Sequence, residues 1–141
     1  MAFYQKTLEI NTSPKSFLDI TKDIQTLVSE SGLDNGICNL FIKHTSASLV
    51  IQENYDPYVR QDFETIFSNL VPEDFPYAHH MEGKDDMPAH IRSALTSTSE
   101  TVPVFGGKLS LGTWQGIYIW EHRDQSHNRI VVVSITGMHG V

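Results

Sequence analysis

From Thr101 onward the chain reads as strand after strand: "TVPVF", "KLSLG", "QGIYIWEH" and "NRIVVVSIT", with Gly106-Gly107 predicting a tight turn between the first two. A parallel doubly wound sheet needs a crossover helix between successive strands, and this closing run has none. Earlier, "FYQKTLEIN" alternates as a first strand, and "ITKDIQTLVSESG" places Ile20, Ile24, Leu27 and Val28 on one helical face, with Thr21 to cap it and Gly32 to stop it. "GICNLFIKH" and "ASLVIQE" supply two further strands. The sharpest helix signal is "DPYVRQDFETIFSNLVP". Asp56 caps, Pro57 takes the first helical position, Val59, Phe63, Ile66, Phe67 and Leu70 form the apolar stripe, and Pro72 ends the run. "DDMPAHIRSALTS" predicts a short third helix capped by Asp86, with Pro88 in its first turn and Ile91 and Leu95 facing the core. The expected fold class is α+β: a compact single domain spanning residues 1–141, with largely antiparallel sheets and about three helices.

A chain of 141 residues, 40% apolar, is long enough for one domain with a real core. Ten basic side chains, scattered singly, stand against 17 acidic ones for a net charge of −7, which argues against a partner bound through its phosphate backbone. No apolar run approaches the length of a membrane span, and Met1 to Ser13 lacks the features of a secretory leader, so a soluble, cytoplasmic protein is expected. Cys38 is the only cysteine, and its alternating setting marks it as core packing. A Gly-rich phosphate loop is absent.

Chemistry concentrates in "YAHHMEGKDDMPAH", Tyr77 to His90. His79 and His90 bracket Glu82, Asp85 and Asp86, and a loop running into a helix start can turn imidazoles and carboxylates toward one point. Imidazole suits zinc and carboxylate suits magnesium, so the mixture leaves the ion open. The plainer structural alternative is a solvated acidic loop with a helix cap. "KHTSASLVIQEN" places His44 and Glu53 at strand ends, where side chains face a cleft, although a lone histidine also serves as a structural hydrogen-bonding group. In "WEHRD", Glu121, His122 and Arg123 leave a strand together, either to bind an anion or to form an ion cluster. "LGTWQG" reads as a tight strand start packed under Trp114.

With "HTSASLVIQENYDPYVRQDF", "YAHHMEGKDDMPAHIRSAL", "LGTWQGIYIWEHR" and "VSITG" in this order, the chain from about Phe17 to Gly137 resembles the YjbQ-like family, the secondary thiamine-phosphate synthases. The resemblance implies a homotrimer with its site near subunit contacts. It also implies the joining of hydroxymethylpyrimidine diphosphate to hydroxyethylthiazole phosphate, with release of pyrophosphate. Such a reaction needs a divalent ion, Mg²⁺ or Zn²⁺, and cationic side chains on the departing oxygens. Matched by position, His44, His79, Asp85 and His90 are the catalytic candidates. Asp86 joins them as a metal ligand, Glu53, His122 and Arg123 are matched as substrate-binding candidates, and Arg129 is added to these as a cation able to contact the phosphate. His80 stands where the family pattern commonly has other residue types and is expected to point elsewhere. Three imidazoles, from His44, His79 and His90, are expected in one pocket, while Asp85 and Asp86 order the loop or hold a hydrated ion. Thiamine-phosphate synthases of the (β/α)₈ type take about 250 residues, so any shared activity would have arisen on an unrelated fold. Two competing functions are a metal-dependent hydrolase and a trimeric protein that captures a small phosphorylated or carboxylated metabolite in an interfacial cleft.

Overall fold

The computed structural model describes residues 1–140. Its elements run β1 (Ala2–Asn11), β2 (Phe17–Asp19), α1 (Thr21–Ser31), β3 (Asn35–Ile42), β4 (Ala47–Glu53), α2 (Pro57–Leu70), α3 (Asp86–Leu95), β5 (Ser99–Phe105), β6 (Lys108–Leu109), β7 (Gln115–Glu121) and β8 (Asn128–Met138). Five strands form one sheet in the order β1-β8-β3-β5-β6, and three form a second in the order β2-β7-β4. Every strand pairing is antiparallel, so the α+β class expected from the closing strand run holds.

The core joins the inner faces of the two sheets with one face of α1. Leu40, Ile42, Val131, Val133 and Ile135 meet Leu49, Ile117 and Ile119, and α1 adds Ile24, Leu27 and Val28. Alternation in β8 is strict, with Val131, Val133 and Ile135 buried and Ile130, Val132 and Ser134 only partly so. Cys38 packs in this core, where burial pushes its thiol up to about 11. Gly106 and Gly107 both adopt positive φ, as a two-residue hairpin turn of the mirror-image type demands.

The outer face of the small sheet is where the helices do their work. β7 is its central strand and is buried from Gly116 to Glu121, which is why "IYIW" shows no alternation. Trp120 stacks on Phe17 at 4.3 Å between ring centres, Phe67 of α2 lies 4.8 Å away, and the Arg92 guanidinium of α3 sits over the indole at 5.8 Å. From sequence, "IYIW" and "IVVVSI" offer more apolar strand surface than two short helices obviously cover, which would favour assembly; "IYIW" is instead covered within the chain and offers no such surplus.

Several local expectations change. The N-cap of α1 is Ile20, not Thr21; the Thr21 amide instead donates to the Asp19 carboxylate at 2.9 Å. In α2 the Asp56 cap and Pro57 stand as expected, but Ile66 and Leu70 remain 61% exposed, because the helix meets the sheet only through its Phe63 and Phe67 side. In α3 the buried face carries Pro88, Ala89 and Arg92, leaving Leu95 exposed and Ile91 half-buried. A cation lies inward here because Arg92 finds both Glu64 carboxylate oxygens at 3.0 Å and the Trp120 face. Trp114 is 55% exposed and edge-on to Tyr55, rather than a lid packed over the strand start. The three-residue strand β2 carries too short a pattern to be read from sequence.

Candidate metal centre

Asp86 is the first residue of α3, and one helical turn later His90 returns to the same side, its Nε2 3.2 Å from Asp86 Oδ2. His79 arrives from the preceding loop, and its Nε2 lies 2.6 Å from the same oxygen. Gly83, at φ +102°, lets the loop reverse between these residues. One ligand atom from each of His79, Asp86 and His90 can thus lie within 4.8 Å of the others. Glu82 Oε2 stands 3.2 Å from His79 Nε2 on the solvent side.

Protonation is constrained at His90. Its Nδ1 lies 2.9 Å from the Thr45 carbonyl oxygen, which only accepts, so Nδ1 carries a proton. In the neutral ring Nε2 then presents a lone pair to a carboxylate oxygen. Two acceptors at that separation repel unless a proton or a metal cation lies between them. An Nδ1–H donated to a backbone carbonyl is also how metal-bound imidazoles are commonly held.

The carboxylates divide their tasks. Burial works to raise the Asp86 carboxyl, but the hydrogen bond to His79 and the charges of Arg123, His90 and His79 outweigh it and hold the group below the usual range. Asp85 shows the same balance, with burial opposed by the Arg123 hydrogen bond and by the Asp124 amide. Arg123 Nε donates to Asp85 Oδ2 at 2.8 Å, and Asp124 N donates to the same oxygen at 2.8 Å. Asp85 therefore takes the loop-ordering role of its two expected ones. It is also the N-cap position of α3 in place of Asp86, with no side-chain capping bond.

The remaining sequence candidates fall elsewhere. His44 Nε2 accepts the Ile130 amide at 2.8 Å, so its Nδ1 keeps a proton and neither nitrogen is free to bind a metal; this corrects its expected place as a ligand. Burial first, then the charge of Arg129, lowers its pKa. His44 instead shares with His90 the walls of a groove of about 510 Å³, lined also by Phe41, Lys43, Thr45, Ser93 and Thr98. Arg129 is buried and paired with Glu121, and it donates as well to the Ser46 carbonyl and hydroxyl. That closes it to substrate. His122 is also buried, with Nε2 2.8 Å from Ser48 Oγ and Nδ1 without a partner; burial, aided by Arg92 and Arg129, pushes its pKa down to about 3. It is a neutral ring of the interior, not a substrate contact. Arg123 spends its donors on the loop, and Glu53 lines a separate hollow beside Trp114 and Gln115. His80 turns its Nδ1 to the Ala78 carbonyl, outside the cluster. Sequence reasoning missed Lys43, Ser93 and Thr98 as groove residues and the carbonyl of Thr45, because a backbone acceptor leaves no signature in residue type.

These features define a two-sheet α+β domain with a histidine–carboxylate cluster at the start of its third helix. The family model described as UPF0047 protein YjbQ-like matches residues 6–138. A UPF0047 protein of Synechocystis sp. is 53% identical, over 95% of this chain and 92% of that one. The YjbQ protein of Escherichia coli O157:H7 is 40% identical, over 96% and 99%. Among solved structures, a YbjQ-like protein from Sulfolobus solfataricus superposes with a TM-score of 0.85 at 26% identity, covering 96% and 99% of the two chains. A yjbq/upf0047 family protein from Clostridium acetobutylicum gives 0.83 at 37% identity, covering 94% and 99%. The chain belongs to the UPF0047, YjbQ-like family.

Proposed function

We propose that this protein is a metal-dependent enzyme acting on a small phosphorylated metabolite in the cytoplasm, with His79, Asp86 and His90 holding a divalent transition-metal ion. The observation that carries this reading is the single oxygen, Asp86 Oδ2, faced by Nε2 of both histidines while His90 Nδ1 is committed to a carbonyl. Two imidazoles with one carboxylate favour zinc or iron(II) over magnesium, which prefers oxygen donors. When bound, such an ion supplies Lewis-acid activation of a water or a substrate oxygen. Glu82 Oε2, solvent-facing beside His79, is placed to take up the proton released there.

The groove supports the proposed substrate class. Its lining includes Lys43, His44, Thr45, His90 and Thr98 and, among the described residues, no carboxylate, in a chain of net charge −7. Such a wall favours an anion, with Phe41, Ile42 and Ala94 against its apolar part. The thiamine-phosphate-forming transfer is a second reading favoured by this anion-accepting wall, but the guanidinium groups expected to stabilise pyrophosphate are committed to carboxylates. Hydrolysis by an activated water asks for fewer cations and is the preferred reading. Phe41 lies both in the groove and on the outer face of the large sheet, so a homotrimer meeting through that face would bring the groove to a subunit boundary, as we also propose.

Metal analysis of protein purified without chelator, with zinc titration calorimetry, tests the reading. We expect about one ion per chain and at least tenfold weaker zinc binding in Asp86→Asn. Turnover of phosphate esters and of the two thiamine precursors should stop in chelator and return with the metal. Binding of neither zinc nor iron would sink the metal-dependent reading, and metal-loaded protein that binds phosphate esters without turnover would leave a metabolite-binding protein.

A further inference from the structure

We infer that Arg123 is the positioning residue of this centre, fixing which oxygen of Asp86 meets the metal. The inference rests on the metal reading proposed above. Arg123 lies two residues beyond Glu121, the last residue of β7, and its guanidinium spans the loop. Nε donates to Asp85 Oδ2 at 2.8 Å and Nη2 to the Glu82 carbonyl at 3.0 Å, while Nη1 forms an ion pair with Asp86 Oδ1 at 2.8 Å. Three residues of the segment that carries the histidines are thereby tied to the start of the β7–β8 connection. The β7–β8 turn is tied down a second time by Lys15, which bridges Glu73 and Asp124.

The division at Asp86 is the informative feature. Oδ1 is taken by Arg123, while Oδ2 alone faces both imidazoles. A carboxylate with one oxygen held by a guanidinium binds an ion through the other, in monodentate fashion, and leaves coordination positions for water and substrate. Charge is consistent with this arrangement. Asp85, Asp86 and Glu82 against one guanidinium leave two negative charges for a divalent ion to neutralise. Lysine cannot replace the three-point fork, because its ammonium is a single point with a mobile stem.

The test uses Co²⁺ as the probe on the full chain, since its visible absorption is strong in four-coordinate sites and weak in six-coordinate ones. Wild-type protein is expected to bind Co²⁺ with the strong spectrum. R123Q is expected to bind 10- to 100-fold more weakly and with diminished absorption, as the freed Oδ1 joins the metal. R123K is expected to restore neither property, and D85N, which keeps the Arg123–Asp86 contact, should retain the strong spectrum. Circular dichroism and urea unfolding identify a variant that has lost its fold, in which case D85N against wild type carries the comparison: a D85N spectrum as weak as that of a six-coordinate site then overturns the assignment. Unchanged affinity and spectrum in R123Q, or full recovery in R123K, overturns the role of Arg123 while leaving the metal centre standing. No Co²⁺ or Zn²⁺ binding by wild type overturns both.

Discussion

His122 illustrates how a residue suited to catalysis is turned into an interior group. Its ring lies against Trp120, 4.7 Å between centres, with Ser48 as its one hydrogen-bond partner. Burial and the nearby guanidinium groups of Arg92 and Arg129 hold it neutral, with a pKa of about 3 against an ordinary 6.5. Between those values the unfolded chain binds a proton that the folded chain refuses. Stability from this site is therefore complete above pH 6.5 and is lost as the pH falls toward 3. Between pH 8 and pH 5 the loss amounts to about 2 kcal/mol. In urea unfolding, His122→Gln, which keeps a partner for Ser48, should lose about that much less than wild type over the same interval. Parallel pH profiles would show that His122 is not the group responsible.

At the scale of elements, the two sheets depend on close approach between particular strands. Gly36 of β3 pairs with Gly137 of β8, and a Cβ built on Gly36 would stand 2.0 Å from the Thr136 carbonyl oxygen and 2.6 Å from Gly137 Cα. Backbone atoms cannot rotate aside as a side chain can. Gly36→Ala should destabilise the protein by about 3 kcal/mol, the upper range for overpacking, through separation of β3 from β8 at this end. Thermal unfolding measures it, and a melting temperature equal to wild type would mean that the strands part without cost. Helices α2 and α3 depend on contact differently. They hold to β7 through rings and guanidinium groups around Trp120, and so tolerate exposed apolar residues on their far sides.

For the whole molecule, the unpartnered surface is the outer face of the large sheet. Phe3, Ile37, Phe41 and Phe105 are all exposed there, on strands whose alternate residues fill the core. This face, rather than "IYIW", carries the physical case for the proposed homotrimer. Sedimentation velocity at micromolar concentration should give a trimer for wild type and a smaller species for Ile37→Glu, which lies outside the groove. A wild-type monomer under these conditions would remove the proposed subunit boundary from the site.

Local patterns settled much of this protein. Alternation along β1, β3 and β8, the Asp56-Pro57 start of α2, the αL glycine after α1 and the Gly106-Gly107 turn are all short-range steric and solvation effects, and each was legible in a window of a few residues. So was the concentration of histidines and carboxylates before α3. What those polar groups do was decided by tertiary structure, because a hydrogen bond is satisfied by whichever partner folding brings near. Arg123 finds Asp85 38 residues away, and His44 spends Nε2 on an amide 86 residues away, so one expected phosphate contact becomes a loop anchor and one expected ligand becomes a strand fastener. Residue type supplies the chemistry available at a position; the packing of distant strands determines which nitrogen or oxygen is left to use it.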